Sequence, residues 1–457
     1  MEDGAGASRE ELLAIIDALR AQLVALLAEV EALQTRVSEL EAENAQLRGK
    51  GSTPPSWVKA HRPKRAKQPR KHRHQAFVRR REPPTEIREH AVETCPDCGR
   101  QLTGGSVHRS RQVIEIIPAQ VQIVEHQFIG RRCGVCGKRV LPQRSAAELG
   151  VVGKHRFGVN IQSLAALLHI SYRLPISMIR RFFREVHGLQ ISAGEIVALA
   201  EGVAAAGTDE VEAIRTAVLA SSAVCSDDTG WREAGRNGYL WGFATSTHRY
   251  FRYRHSRARA VAEGVFGEGF AGTIVSDFYS AYNQLPGGHQ RCWAHLLRDL
   301  HQLREEHAEV TEWVEAIHTV YQQATSFTDP RQKARRQAAA RFERELARLA
   351  RPHRKRADAP QRVLAERIYR FRGELFTLDG ASAACYFVAD PRVPATNNLV
   401  ERSLRPPVIA RKISGGTRSE AGSQTRTSLM SIFGTWAAQN KDLLASCKAL
   451  LLRPAPT

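Results

Sequence analysis

The 457-residue sequence lacks an apolar run near the roughly 20 residues that a bilayer-spanning helix needs. No signal peptide opens it. Cysteine is sparse, and outside two Cys-x-x-Cys pairs the other four are scattered, at Cys225, Cys292, Cys385 and Cys447. These absences argue against a membrane protein or a secreted one. We expect a protein of a reducing, cytoplasmic compartment with no membrane partner.

Acidic residues are also few: 47 Asp and Glu face 67 Lys and Arg, which gives a net charge of +20 and a pI near 10.0. This balance predicts a large anionic partner, and DNA in the nucleoid is the simplest one. A membrane surface fits less well, because the basic residues recur in separate parts of the chain. The 42% hydrophobic content predicts a real core, and the length allows two to four domains.

Residues 8–48 carry a leucine at every seventh position, namely Leu12, Leu19, Leu26, Leu33, Leu40 and Leu47. The alternate seam positions are Ile16, Leu23, Val30, Val37 and Asn44. Leucine at d with mostly β-branched residues at a predicts a parallel two-stranded coiled coil, and hence a homo-oligomer. An amphipathic helix packed on its own domain is the alternative, which the unbroken heptads disfavour.

The next segment, 49–88, is predicted to be a disordered basic linker. From Lys59 to Arg81 it contains no acidic residue. Such a run cannot bury enough apolar surface to fold alone, but it can neutralise phosphates. A solvated tail is the alternative. The residues expected to bind DNA are Lys64, Arg65, Lys67, Arg70, Lys71 and Arg73.

Two cysteine pairs, Cys95-Pro-Asp-Cys98 and Cys133-Gly-Val-Cys136, lie in residues 89–145. Each pair can hold one side of a tetrahedral Zn²⁺ through its thiolates. Strands are expected at Arg111–Ile117 and Val121–Arg132. This arrangement predicts a structural zinc ribbon, and disulfides are the less favoured alternative.

Residues 146–220 have helical apolar spacing. They could form a helix-turn-helix that reads DNA, or a helical spacer, and no set of side chains decides between the two.

From residue 221 the apolar period changes to two. The order strand, strand, strand, helix, strand, helix, strand predicts a ribonuclease-H-like core from 221–300 and 377–435, interrupted by a helical insertion, 301–376. A C-terminal helix and tail, 436–457, would follow. In this layout the first and fourth strands end side by side, which brings Asp227 and Asp277 together. The expected fold class is therefore multidomain α+β.

A third carboxylate, Glu401, lies in a short predicted helix. Thr396, Asn397 and Asn398 would cap this helix, and Pro406 and Pro407 would stop or kink it. The plain alternative is that Glu401 closes a capping box with Asn398. Three converging carboxylates repel one another unless cations lie between them. Two Mg²⁺ or Mn²⁺ ions would relieve this and support in-line phosphoryl transfer.

Basic residues follow Glu401 closely. They could steer phosphates toward the metals or balance the carboxylates, and the candidates for DNA contact are Arg402, Arg405 and Lys412. His295 and Trp293 could line the same cleft. The basic insertion could also contact DNA, with a solvated helical hairpin as the alternative.

Five motifs resemble those of the IS66 family of insertion-sequence transposases: Asp227–Trp231, Asn237–Trp241, Val275–Tyr282, Arg291–His295 and Thr396–Pro406. The order of zipper, basic linker, zinc ribbon and catalytic region is similar too. The resemblance implies a DDE triad of Asp227, Asp277 and Glu401. The family commonly has Glu where this chain has Asp228. Adjacent residues of a strand point to opposite faces of the sheet, so only one of Asp227 and Asp228 can face the metals. The position of Asp227 in the motif selects it as the ligand.

The resemblance implies a transposase that binds its element's terminal repeats and a target DNA. It also implies that small accessory proteins assist the reaction. Magnesium-dependent cleavage would free a 3′-hydroxyl, which then attacks the target. Two other functions stay open. One is a two-metal nuclease or resolvase without strand transfer, and the other is a non-catalytic DNA-binding regulator. Such a regulator would be expected to have lost a carboxylate, and this sequence has all three.

Overall fold

The computed structural model describes residues 9–49, 83–114, 120–152, 156–376, 388–390 and 392–453. The chain divides into two compact units, residues 1–115 and 116–457. Most of the basic linker lies outside the described residues. The same holds for the DNA contacts predicted there, which are Lys64, Arg65, Lys67, Arg70, Lys71 and Arg73.

The first unit contains one long helix, α1 (Arg9–Gly49). Its described seam leucines are exposed: Leu19 and Leu26 by 57% each and Leu33 by 59%. An exposed apolar seam of this length is typical of a helix that pairs with another chain.

The second unit begins with a short antiparallel pair, β1 (Arg131–Arg132) and β2 (Arg139–Val140). The long hairpin predicted over Arg111–Ile117 and Val121–Arg132 is wrong for the described residues, which are irregular except at 131–132. Their apolar side chains are exposed, as Ile114 is by 77% and Ile123 by 91%. A two-stranded ribbon without a surface to pack on is marginal, which accounts for the difference.

Five helices follow: α2 (Ala146–Leu149), α3 (Val159–Ile170), α4 (Ile176–His187), α5 (Ala193–Ala206) and α6 (Thr208–Leu219). Gly188 ends α4 at φ 64°, and Ser192 and Glu195 form a capping box that starts α5. Helix α4 packs on α3 and α5 through Ile179 and Phe183, while its arginines face outward.

A five-stranded mixed sheet is the centre of the second unit. Its elements are β3 (Ala223–Glu233), β4 (Arg236–Ala244), β5 (Arg249–Arg254), α7 (Arg259–Phe266), β6 (Thr273–Ser276) and β7 (Gly288–Arg291). The strand order is β5-β4-β3-β6-β7. The pairs β3–β4 and β4–β5 are antiparallel, whereas β3–β6 and β6–β7 are parallel.

The first and fourth strands of this sheet, β3 and β6, are neighbours, as the sequence predicted. Strand β3 is longer than predicted, so Asp227 lies inside it rather than beyond its end. A tight hairpin explains the extra length. Ala234 and Gly235 both adopt positive φ, of 49° and 81°, which lets β3 and β4 pair up to Glu233 and Arg236.

The segment after β7 is a helical body with its own apolar core. It comprises α8 (Trp293–Glu306), α9 (Thr311–Thr325), α10 (Gln332–Ala350), α11 (Arg362–Phe371) and α12 (Gly373–Phe376). Trp293 is fully buried in this core against Tyr321 and Phe376. The suggestion that Trp293 lines a cleft is therefore wrong, and the insertion is more than a solvated hairpin.

A buried ion pair ties this body to the sheet. Arg291, fully buried at the end of β7, donates from Nε to Glu374 at 2.6 Å and from Nη1 to the Asp277 carbonyl at 3.0 Å. A fully buried arginine needs such partners, since an unpaired charge there would be strongly destabilising. The insertion is thus linked directly to the backbone of a candidate catalytic residue.

Three helices close the chain: α13 (Asn398–Ser414), α14 (Glu420–Ala438) and α15 (Leu443–Leu451). Of the two effects predicted for Pro406 and Pro407, stopping the helix is wrong, because α13 continues to Ser414 with both prolines inside it. Its buried face, which includes Val400 and Leu404, packs across β3 and β4. We attribute the continuation to that burial, which offsets the roughly 3 kcal/mol that an interior proline costs.

Helix α14 covers the edge strand β5. The outward backbone N–H groups of Phe251 and Arg249 donate hydrogen bonds to the hydroxyls of Ser431 and Thr435 respectively, both at 2.9 Å. These side chains satisfy strand groups that would otherwise need another strand. The boundary predicted at 435–436 lies inside α14. No helix within the described ranges has both the length and the apolar character needed to cross a bilayer.

Candidate active site

Asp227 and Asp277 come together through the parallel pairing of β3 and β6. The last paired residues are Cys225 and Val275, and each aspartate follows two residues later. Strand β6 ends at Ser276, so Asp277 follows directly after its strand while Asp227 lies inside β3. The two carboxylates therefore leave neighbouring strands at the same level of the sheet.

Glu401 reaches the same place from the first turn of α13. Directly opposite Asp227 in β4 is Gly242, and residues in such a pair share a face of the sheet. A Cβ at Gly242 would lie 3.0 Å from Val400 Cγ2 and 3.3 Å from Leu404 Cδ2. The absence of a side chain lets α13 lie close to the sheet, on the face that carries Asp227.

Asn397 fixes the start of α13. It is fully buried, and its Nδ2 donates to the Ser226 carbonyl at 3.0 Å while its N–H donates to Cys292 Sγ at 3.1 Å. The Cys292 N–H in turn donates to the Ser276 carbonyl at 2.8 Å. Ser226 and Ser276 are the residues just before the two aspartates. This chain of hydrogen bonds holds all three carboxylate-bearing segments in one frame.

The predicted caps of α13 act differently from expectation. Asn397 is at the N-cap position, but its side chain makes no capping hydrogen bond, since it is engaged with Ser226. The alternative capping box between Asn398 and Glu401 does not form either. The carboxylate of Glu401 is thus left available for another role.

The Asp227 carboxyl is strongly perturbed. Burial and the nearby negative charges of Asp277, Asp228 and Glu401 raise its pKa to about 7. The hydrogen bond that Asp227 Oδ1 accepts from the Asp228 N–H acts in the opposite direction and lowers the pKa. Within the described part of the chain, no Lys, Arg or His forms an ion pair with Asp227. A buried carboxylate beside other carboxylates is the environment that a divalent cation would stabilise.

Asp228, in contrast, already has a cation partner. Arg257 Nε donates to its two carboxylate oxygens at 2.9 and 3.1 Å, and the guanidinium lies 4.0 Å from the centre of the Tyr279 ring. Burial raises the pKa of Asp228, while Arg257 opposes that rise. Of the two adjacent aspartates, Asp227 is the one on the α13 face and without a cationic partner among the described residues.

Glu401 faces His295 and Cys292. The distance from Glu401 Oε1 to His295 Nδ1 is 3.7 Å, and donor atoms of Cys292, His295 and Glu401 all lie within 4.8 Å of one another. The triad carboxylates do not form so tight a group in the described residues. Carboxylate oxygens are the ligands that Mg²⁺ and Mn²⁺ prefer, so the donor chemistry of the three carboxylates is compatible with such ions.

The basic residues after Glu401 divide by face. At 100° per residue, Arg402, Arg405 and Lys412 share one side of α13, and all three are exposed. Arg411 lies on the other side and donates to the Gly230 carbonyl, so its role is to hold α13 against β3.

The two cysteine pairs form matching turns, one in each unit. Gly99 N–H donates to the Cys95 carbonyl at 2.8 Å, and Gly137 N–H donates to the Cys133 carbonyl at 2.9 Å. Both glycines need positive φ, 69° and 67°. Backbone N–H groups of the second cysteine of each pair lower the pKa of Cys95 and of Cys133. Such thiols are suited to metal binding.

Comparison with protein families gives two matches. A model described as "Transposase IS66 family" matches residues 154–425, more than half of the chain, with all three candidate carboxylates. The chain belongs to the IS66 transposase family. A model of the zinc-finger binding domain of transposase IS66 matches residues 93–137, which contain all four paired cysteines. A search of curated proteins finds no match. The sequence resemblance to IS66 transposases is thereby confirmed.

Three residues of this candidate site were not predicted from the sequence: Asn397 as the anchor of α13, Arg257 as the partner of Asp228, and Cys292. The sequence indicated Asn397 and Asn398 only as residues that cap the helix of Glu401. The Cys-x-x-His spacing of Cys292 and His295, one helical turn, was the available signal for the last.

The raised pKa of Asp227 predicts a pH-dependent stability without metal. The folded state holds this proton more tightly than the unfolded state, with a pKa of about 7 against 3.8, so stability is lost as pH rises from about 4 to 7. Asp227→Asn has no proton to lose. With a chelator present at pH 8, Asp227→Asn should have a higher melting temperature than wild type. Its free energy of unfolding should be higher by at most about 4 kcal/mol, because one unit of pKa difference corresponds to about 1.4 kcal/mol.

The melting difference between Asp227→Asn and wild type should shrink as pH falls toward 4. Thermal unfolding over this pH range is the measurement, and Asp209→Asn, at an exposed position of α6, is the matched control. Parallel pH profiles for wild type and Asp227→Asn would contradict the buried, perturbed carboxyl.

Proposed function

We propose that this IS66-family transposase cleaves DNA at the ends of its element and joins the freed 3′-hydroxyl to target DNA, with Asp227, Asp277 and Glu401 holding two Mg²⁺ or Mn²⁺ ions. The observation that carries the proposal is the convergence of three carboxylates: the pairing of β3 with β6 brings Asp227 and Asp277 together, and α13 packs on the same face of the sheet with Glu401 in its first turn. The raised pKa of Asp227 agrees with this crowding of negative charge. A charge arrangement so costly without cations points to metal-dependent chemistry.

The sheet supports a ribonuclease-H-like assignment of the core. Three antiparallel strands followed by two parallel ones, in the order β5-β4-β3-β6-β7, correspond to the layout expected from the sequence. That layout is compatible with aspartates on the first and fourth strands and a glutamate from a later helix. The fold alone does not define the reaction, so the proposal rests on the site.

The bound ions would supply Lewis acidity at the attacking and leaving oxygens of an in-line displacement. The three carboxylates hold their positions through Asn397 and through Arg291, which bonds the Asp277 carbonyl at 3.0 Å. The exposed face of Arg402, Arg405 and Lys412 would bind the phosphates next to the scissile one. Arg257 neutralises Asp228, which reduces the negative charge that DNA must approach.

Further DNA contacts are proposed outside the core. Helix α4 presents Arg180, Arg181 and Arg184 to solvent, which supports phosphate binding by region 146–220. Helix α10 of the insertion carries exposed Arg336, Arg341 and Arg344. With the basic linker, these surfaces would give a salt-dependent affinity and association with the nucleoid.

Strand transfer is the deciding assay. A labelled duplex with the element's end and a target plasmid would be incubated with Mg²⁺ and wild type, Glu401→Gln or Asp277→Ala. We expect wild type to join DNA, and either variant to bind DNA but lose joining by roughly 10³-fold or more, about 4 kcal/mol of transition-state stabilisation. Glu420→Gln, the same change at an exposed glutamate, should behave like wild type.

The failures of this assay are informative. Nicking without joining, also after the element's small accessory proteins are added, would favour a nuclease. DNA binding without cleavage by any of the proteins would favour a regulator.

We also propose that Cys95, Cys98, Cys133 and Cys136 bind one structural Zn²⁺. The matching turns and the zinc-finger family match support this. The double variant Cys98→Ser, Cys136→Ser should contain one zinc ion per chain fewer than wild type by elemental analysis. An unchanged zinc content would exclude the assignment.

Finally, we propose that α1 pairs with α1 of another copy, which would bring two element ends together. Leu26→Lys places a charge in the seam and should weaken self-association by roughly 100-fold, since each chain loses about 1.5–3 kcal/mol of leucine burial. Val24→Lys, on the outer face of α1, is the control. Sedimentation equilibrium measures both, and equal association of the two variants would refute the zipper.

A further inference from the structure

Cys292, His295 and Glu401 form a second cluster of potential metal ligands at the edge of the carboxylate site. One potential ligand atom from each of these three residues lies within 4.8 Å of the other two. It is the one such group of three found in the described ranges of the chain. The family's carboxylate triad accounts for Glu401 but gives no role to the sulfur and the imidazole beside it.

Two polar atoms of this cluster lack a hydrogen-bond partner among the described residues. Glu401 Oε1 and His295 Nδ1 are both buried, and neither finds a hydrogen-bond partner within the described part of the chain. Their separation of 3.7 Å is too long for a hydrogen bond between them. Two buried groups in this state are costly, and a shared cation would satisfy both.

Local structure orients the three donors. Cys292 is the N-cap residue of α8 and His295 lies one turn on, so both point to the same side of the helix. The N–H of Asn397 donates to Cys292 Sγ at 3.1 Å, which fixes the sulfur as an acceptor. The same Asn397 begins α13, so it positions Glu401 against the other two ligands.

The donor set selects a class of metal. Sulfur, imidazole and one carboxylate oxygen are the ligands of Zn²⁺ and similar ions, whereas Mg²⁺ requires oxygen. With bonds of about 2.0–2.1 Å, tetrahedral N and O ligands lie about 3.3 Å apart, close to the observed 3.7 Å. Three protein ligands would leave a fourth position open to water.

We propose that Cys292, His295 and Glu401 bind one Zn²⁺, separately from the four-cysteine zinc, and that this ion competes with Mg²⁺ for Glu401. The competition rests on the proposed role of Glu401 in strand transfer, while the zinc site itself does not. A Glu401 side chain held by zinc cannot complete the two-ion site. Zinc would then act as an inhibitor by occupying a ligand of the reaction.

Cobalt binding tests the zinc site without reference to activity. The full-length chain, stripped with chelator, would be titrated with Co²⁺ while the thiolate-to-cobalt absorption is recorded. We expect wild type to show two thiolate-bound ions per chain, one at the four-cysteine site and one at Cys292. Cys292→Ser and His295→Ala should each lose one ion, with affinity lowered by at least about 100-fold, beyond the range typical of outer-shell changes.

Two controls separate the sites. Cys447→Ser changes a buried cysteine far along the chain and should titrate like wild type. Cys98→Ser with Cys136→Ser should lose only the other ion. Melting curves would check that each variant is folded, and His295→Ala decides if Cys292→Ser does not fold. Unaltered cobalt binding in folded His295→Ala would overturn the proposal.

Zinc inhibition of strand transfer tests the competition. Added Zn²⁺ should inhibit wild type at a concentration at least about 10-fold below that needed for His295→Ala, each relative to its own uninhibited rate. Equal sensitivity of wild type and His295→Ala to Zn²⁺ would refute the competition with Mg²⁺, while the proposal that zinc binds at this site would stand. The two proposals can also separate. If wild type shows no strand transfer but its cobalt binding is lost in His295→Ala, the metal site is upheld and the proposed function is refuted.

Discussion

Electrostatic repulsion among partly buried carboxylates is the constraint that the centre of the second unit must satisfy. Asp227 lies beside Asp277, Asp228 and Glu401, and its pKa of about 7 records the combined effect of burial and these charges. One of the four, Asp228, is neutralised internally by Arg257. Charges that oppose folding in this way persist only where surrounding structure holds them in place.

That surrounding structure acts mainly through backbone groups. The parallel register of β3 and β6 sets the level of the two aspartates. Asn397 joins the strand before Asp227 to the helix of Glu401, and Arg291 joins the backbone of Asp277 to Glu374 in the insertion. Neighbouring groups therefore hold most of this frame, and Asp227 Oδ1 and Asp277 Oδ1 each accept one local hydrogen bond, from the Asp228 and Tyr279 backbone N–H groups.

The sequence predicted the parts of the site that depend on local pattern. An apolar strand ending at Ser276 made Asp277 conspicuous, and the alternation of strands and helices predicted that β3 and β6 are neighbours. The continuation of α13 through two prolines was not predictable locally, because it depends on packing against β3 and β4. The contact of Cys292 with Asn397 joins residues over a hundred positions apart, which no periodicity reveals.

The hydroxyl groups of α14 have a consequence for how the protein is made. Strand β5 is complete long before Ser431 and Thr435 are synthesised, so its outward N–H groups wait for partners that come near the end of the chain. During that interval β5 is an open sheet edge that another nascent chain could join. The sheet that carries Asp227 is therefore sealed late in translation, and a prematurely terminated chain that lacks α14 would be prone to aggregate rather than to act on DNA.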